Sequence, residues 1–255
     1  MKGNYLFINS NPLANMVLSY GITGADFLNG IDDIPDNVLL LDNNVESANG
    51  FNSHSKFNLI NGSGDVRRYI LREPNRVKKF VDFESEDSLN SLNPFEIAEL
   101  LYLAHMHTPM GRPYSSKLVN RYIYLSKGDG LMRTYYRKFS EFNHILEIAI
   151  KRKLREIHNS RRVFLRPLAI KDLEKSMLID LVSKGGDGLF IDFEGLVEKH
   201  KTYPIPLRIL NNPDGSSVVL KTSQVKENTR QVGTLTYNLK TSEWHLQWID
   251  DEDLL

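Results

Sequence analysis

The 255-residue chain contains no cysteine. That excludes disulfide staples, thiolate zinc sites, iron–sulfur clusters and a cysteine nucleophile, and it is compatible with a reducing cytoplasm. Long apolar runs are also missing: Val38–Leu41 is among the longest, far short of the ~20 residues a membrane-spanning helix needs. The N-terminal stretch Met1-Lys-Gly-Asn-Tyr-Leu-Phe-Ile8 turns polar after four apolar residues, where a secretory signal needs roughly 7–15. The expectation is a soluble, cytoplasmic protein with no membrane insertion. Net charge is missing as well, since Lys plus Arg and Asp plus Glu both number 32. No global field draws the molecule to nucleic acid or membrane.

Familiar signatures are absent too. There is no Gly-x-x-x-x-Gly-Lys-Ser/Thr loop, no Gly-x-Ser-x-Gly elbow, no His-Glu-x-x-His and no EF-hand spacing. Asn61-Gly-Ser-Gly-Asp65 holds two glycines, but reads as loop and not as a dinucleotide turn between strand and helix. The sequence therefore names no cofactor.

What is present is ordinary globular composition, 41% hydrophobic and 25% charged, in a chain long enough for one large domain or two modest ones. Tyr5–Ile8 and Val38–Leu41 are short apolar runs, with a short helix expected over Leu13–Ile22. Residues 43–65, rich in Asn, Ser and Gly, read as the longest loop. Val66–Leu71 and Val77–Phe83 read as strands. Next comes the clearest element. Asn93 is a good N-cap, Pro94 suits the first helical position, and Glu96 stands where a capping box wants a carboxylate. Ile97, Leu100, Leu101 and Ala104 keep helical spacing.

Arg121–Ser126 and Leu131–Arg137, joined by Lys127-Gly-Asp-Gly130, read as a hairpin. A second helix opens at Ser140, and a third covers Ile170–Lys184 and stops at Gly185-Gly-Asp-Gly188. Pro204–Leu210, Val218–Thr222, Val232–Leu239 and Trp244–Ile249 are strand candidates, followed by the acidic end Asp250-Asp-Glu-Asp253. The expected class is α+β: a mixed N-terminal region, a central helix–hairpin–helix and a C-terminal antiparallel meander. The expected organisation is a region 1–92 and a region 93–255, separate or continuous.

Three groupings carry candidate chemistry. His105 and His107 follow the capped helix, ahead of Thr108-Pro109 and Met110-Gly-Arg-Pro113. On a helix, positions i and i+2 point roughly 200° apart, so joint metal ligation requires unwinding, and no metal is expected. A helix-capping role competes with an acid/base role for His107 beside Arg112, whose fork suits phosphate or carboxylate. Second, residues 133–166 hold ten Lys or Arg against three Glu. Lys151, Arg152 and Arg155 are the anion-binding candidates there, opposed by the reading of a solvated or internally paired face. Third, Asp26, Asp32, Asp33, Asp36 and Asp42 invite magnesium, but equally suit turns and caps.

The leading functional expectation is a binding or interaction protein whose basic helix face contacts an anionic partner, protein or nucleic acid, with oligomerisation left open. The alternative is an enzyme acting on a phosphorylated or carboxylated small molecule through His105, His107 and Arg112.

Overall fold

In a computed structural model the described residues are 4–42, 45–73, 76–105, 115–127, 129–160, 168–211 and 222–249. Among them the chain is α+β, with seven α-helices and twelve strands. It divides into two compact units: Asn11–Leu18 with Thr23–Phe142, and Met1–Ser10 with Ser19–Ile22 and Asn143–Leu255.

Strand β1 (Tyr5–Asn11) leads through a tight turn at Pro12–Ala14 into β2 (Met16–Tyr20). Asn11 accepts the Ala14 N–H at 3.1 Å, and Asn15 turns the chain at φ 50. A strand therefore replaces the helix expected over Leu13–Ile22. Pro12 and Asn15 spend the first residues on the turn, and Val17 and Ser19 then alternate inward as a period of two requires.

The first unit continues with α1 (Gly24–Gly30), β3 (Asn37–Leu40), β4 (Gly50–Phe51), β5 (Asn58–Asn61) and α2 (Ser63–Leu71). It closes with β6 (Lys79–Asp82), α3 (Glu86–Asn90), α4 (Pro94–Ala104), β7 (Tyr122–Ser126) and β8 (Leu131–Tyr136). Six of its strands form an antiparallel sheet in the order β8-β7-β6-β3-β5-β4. One face packs a core of Leu39, Leu59, Val81, Ile123 and Leu125 against Leu89, Leu92, Leu100 and Leu103 of α3, α4 and their link.

Residues 66–71 are not the expected strand but most of α2. Val66, Tyr69 and Ile70 are buried while Arg67, Arg68 and Leu71 are exposed, an i, i+3, i+4 pattern that only a helix satisfies. The capping box of α4 is as the sequence implies: Asn93 accepts the Glu96 N–H at 3.0 Å and Glu96 accepts the Asn93 N–H at 2.6 Å.

The second unit adds α5 (Glu141–Ser160), α6 (Lys175–Lys184), β9 (Leu189–Asp192), β10 (Thr202–Leu210), α7 (Thr222–Asn228), β11 (Thr229–Asn238) and β12 (Glu243–Trp248). Its strands pair antiparallel in the order β12-β11-β10-β9-β1. Ile145, Leu146, Ala149, Ile150 and Leu154 make one fully buried stripe along α5. Helix α6 begins five residues after the expected Ile170, and the left-handed position that ends this segment is Gly188, at φ 79. Most of the expected strand Val218–Thr222 lies outside the described residues; Thr222 itself opens α7.

Candidate binding cleft

His105 is the C-terminal cap of α4: its N–H reaches the Leu101 and Tyr102 carbonyls at 3.3 and 3.2 Å, and its side chain is exposed. His107 and Arg112 lie outside the described residues, so the trio is neither assembled nor dispersed here.

The basic residues of α5 are engaged within the molecule. Lys151 bonds Asp172 and lies 3.8 Å from buried Glu147. Arg152 pairs with Glu156 at 3.0 Å and donates to the Gly21 carbonyl at 2.8 Å. Arg155 donates through Nε to the Leu168 carbonyl at 3.4 Å. The Lys151 ammonium holds the Asp172 carboxyl below its ordinary range, the response of an acid whose charged form is favoured by a neighbour.

The acidic residues separate by role. Asp26 is buried in the capping box of α1, accepting the Thr23 N–H at 2.8 Å. Asp42 accepts the Tyr69 hydroxyl at 2.8 Å and the Lys79 N–H at 3.2 Å. Asp32, Asp33 and Asp36 instead line a cleft of about 610 Å³ in the first unit, shared with Ile34, Ser63, Gly64, Arg67 and Arg121. Among the described residues no group of three or more His, Asp or Glu is arranged to hold a metal ion.

Sheet register explains why these residues meet. Strands β3 and β5 are antiparallel neighbours with Asn37 opposite Asn61, so the entry to β3 and the exit of β5 share one sheet end. Strand β6 sits on the other side of β3 with Asp82 opposite Val38, and β7 beside it with Ile123 opposite Val81. Arg121, just before β7, therefore arrives at that same end. Two bonds fix the corner: the Gly62 N–H donates to the Asp36 carbonyl at 2.6 Å, and the Arg121 N–H donates to Asp82 at 2.9 Å.

The turn from β5 into α2 is Gly62-Ser63-Gly64. Gly62 stands at φ 97, which a side chain disfavours, although a Cβ there would meet nothing within 4 Å. Backbone conformation, and not crowding, selects glycine at this position. No side chain caps α2. Its carbonyl at Gly62 takes the Asp65 and Val66 N–H groups at 3.0 Å, while the Ser63 and Gly64 N–H groups find no acceptor among the described residues. Asp65, the acid of the first turn, is turned aside onto Arg68 at 2.5 Å and Asn49 at 3.1 Å.

Charges around the cleft are partly matched. Asp32 binds Lys138 at 2.6 Å, and Arg121 spans Asp33 at 3.3 Å and Asp82 at 3.8 Å while lying over the Tyr122 ring. Burial pushes the Asp82 carboxyl up to about 6, against the opposing pull of the Arg121 and Tyr122 N–H groups and the Arg121 charge. Arg67 and Asp36 differ from these: both are exposed, both line the cleft, and neither side chain has a partner among the described residues.

Sequence reasoning singled out Asp32, Asp33 and Asp36 but missed Ser63, Gly64, Arg67 and Arg121. The available signal was the helical spacing of Val66, Tyr69 and Ile70, which turns a glycine loop into a strand–glycine–helix junction. No protein-family model, no curated protein and no solved structure matches the chain.

Proposed function

We propose that this protein binds a small anionic ligand, carrying a phosphate or carboxylate group, in the cleft between the Asp32–Asp36 loop and the start of α2. The observation that carries this reading is Arg67, a guanidinium on the cleft wall with no partner among the described residues. The two open N–H groups of Ser63 and Gly64 face an oxyanion's requirements in the same way, with the helix dipole of the same sign. A volume of about 610 Å³ is in the range of small-molecule sites. The unpartnered Asp36 carboxylate supplies an acceptor for a hydroxyl or amino group elsewhere on the ligand.

The anion chemistry inferred from Lys151, Arg152 and Arg155 is thereby kept and relocated. Those three already satisfy acceptors of their own chain, so recruiting them to a partner requires breaking internal bonds.

Calorimetric titration of the full chain with inorganic phosphate, pyrophosphate and citrate tests the reading. The expected result is saturable binding of at least one probe, weakened roughly tenfold or more by Arg67→Ala, in line with the loss of a charge-assisted contact. Arg68→Ala, which removes the neighbouring guanidinium already committed to Asp65, is expected to leave affinity unchanged. Absence of binding to every probe, or equal binding by the Arg67→Ala variant, overturns the proposal.

A further inference from the structure

Helix α4 has more apolar surface than its own core uses. Its eleven residues, Pro-Phe-Glu-Ile-Ala-Glu-Leu-Leu-Tyr-Leu-Ala, include only two charged side chains. A helix this apolar on all sides is normally covered on all sides. Here Leu100 and Leu103 are buried and Ile97 and Ala104 pack partly against the same core. The opposite stripe is open: Phe95 is 84% exposed and Leu101 50%, with Ala98 and Tyr102 also on the outer side. Spacings of three and four residues place these four on adjacent turns of one face.

The two cations that reach α4 are already committed, Lys117 to Glu96 and Lys79 to the Ala104 carbonyl, and carboxylates are in excess along α3 and α4. Residues 84–104 contain five carboxylates, Glu84, Glu86, Asp87, Glu96 and Glu99, and no Lys or Arg. Glu96 is satisfied by Lys117 at 2.7 Å and by the Asn93 N–H. Glu84, Glu86, Asp87 and Glu99 are exposed and form no ion pair among the described residues. The stripe and Glu99 lie on α4, Glu86 and Asp87 lie on α3 and Glu84 just before it. The Lys117 ammonium ties the two helices by bonding Glu96 and the Ser91 carbonyl at 2.8 Å.

We infer that this face docks a basic, amphipathic peptide segment of a partner protein. The partner's apolar side chains would cover Phe95, Leu101 and Tyr102, and its Lys or Arg residues would meet Glu84, Glu86, Asp87 and Glu99. Charge decides against the other occupants. A two-fold contact between two copies of the chain would set the same four unmatched carboxylates against each other. Nucleic acid and anionic lipid surfaces carry the same sign as the rim and are repelled by it. The stripe supplies the contact area, and the rim selects the sign of the partner.

The test uses two synthetic amphipathic helical peptides, one of Leu and Lys and one of Leu and Glu, titrated against the full chain by fluorescence anisotropy. Binding of the Leu/Lys peptide alone is expected, weakening as salt rises. The double variant Phe95→Ser, Leu101→Ser is expected to lower that affinity roughly tenfold or more, as truncation of central anchors does. Both side chains are exposed, so its circular dichroism and thermal midpoint should match the parent chain. Glu99→Lys should weaken binding by a smaller factor with the stripe intact. Equal binding of the two peptides, undiminished binding by the double variant, or a concentration-dependent dimer abolished by Phe95→Ser each overturns the inference.

Discussion

Two sets of cations, one on α5 and one at the start of α2, part company in structure. Lys151, Arg152 and Arg155 form the densest basic run of the chain, yet each ends on an acceptor of its own unit: Asp172 and Glu147, Glu156 and the Gly21 carbonyl, and the Leu168 carbonyl. Arg67 opens a second basic stretch, with six Lys or Arg in residues 67–79, and it faces a cleft beside two N–H groups that the helix leaves without acceptors. Charge density along a sequence counts cations before their partners are known. Availability is a property of the fold, set here by an uncapped helix start and by the diversion of Asp65 onto Arg68. Under the proposed function, the α5 cations hold structure and Arg67 holds ligand.

Arg121 stands between the two sets, since it lines the cleft but is braced by Asp33 and by buried Asp82. The largest predicted effect lies there. Asp82 is pushed up to about 6 from an ordinary 3.8 by burial, so the fold favours its neutral form. Its contribution to stability is fully present below the ordinary value and is lost as pH rises through about 6, a change on the order of 3 kcal/mol. Denaturant unfolding across this range should therefore show the stability of Asp82→Asn gaining on the parent chain by that amount. A constant difference would place Arg121 wholly among the paired cations, with Asp82 charged throughout.

Glu147→Ala comes next. Glu147 is buried and accepts the Leu173 N–H at 2.8 Å beside Lys151. Its removal leaves a buried donor unmet and should cost about 2–3 kcal/mol in chemical denaturation. Arg152→Ala, which loses the bond to the Gly21 carbonyl, should cost about 1–2 kcal/mol. The smallest effect belongs to Arg67→Ala, expected to change stability by less than about 0.5 kcal/mol while removing ligand affinity. If Arg152→Ala were neutral to stability and Arg67→Ala strongly destabilising, the division between structural and functional cations would be reversed.

The sequence was most legible where local chemistry is decisive. Asn93, Pro94 and Glu96 announce the start of α4, and the structure has the reciprocal capping bonds they imply. The α+β class was legible from the separation of helical periods from alternating ones. The cleft was not, because α2 lacks a side-chain cap, the very feature that leaves its N–H groups open. With no Ser, Thr, Asn or Asp acting as cap, Val66-Arg-Arg-Tyr-Ile-Leu71 presents β-branched and aromatic residues that resemble a strand. Once those residues are read as a strand, Gly62-Ser-Gly64 becomes a plain loop. The pairing of the α5 cations was hidden for another reason: Gly21 and Leu168 bring their carbonyls from 131 and 13 residues away, and no local pattern encodes such contacts.

The most direct measurement is an amide NMR titration of the full chain with pyrophosphate. The account predicts saturable shifts of the Gly62, Ser63 and Gly64 amides and of the Arg67 side chain, all lost in Arg67→Ala. Shifts confined to Lys151, Arg152 and Arg155, with the residues from Gly62 to Arg67 unmoved, would contradict it.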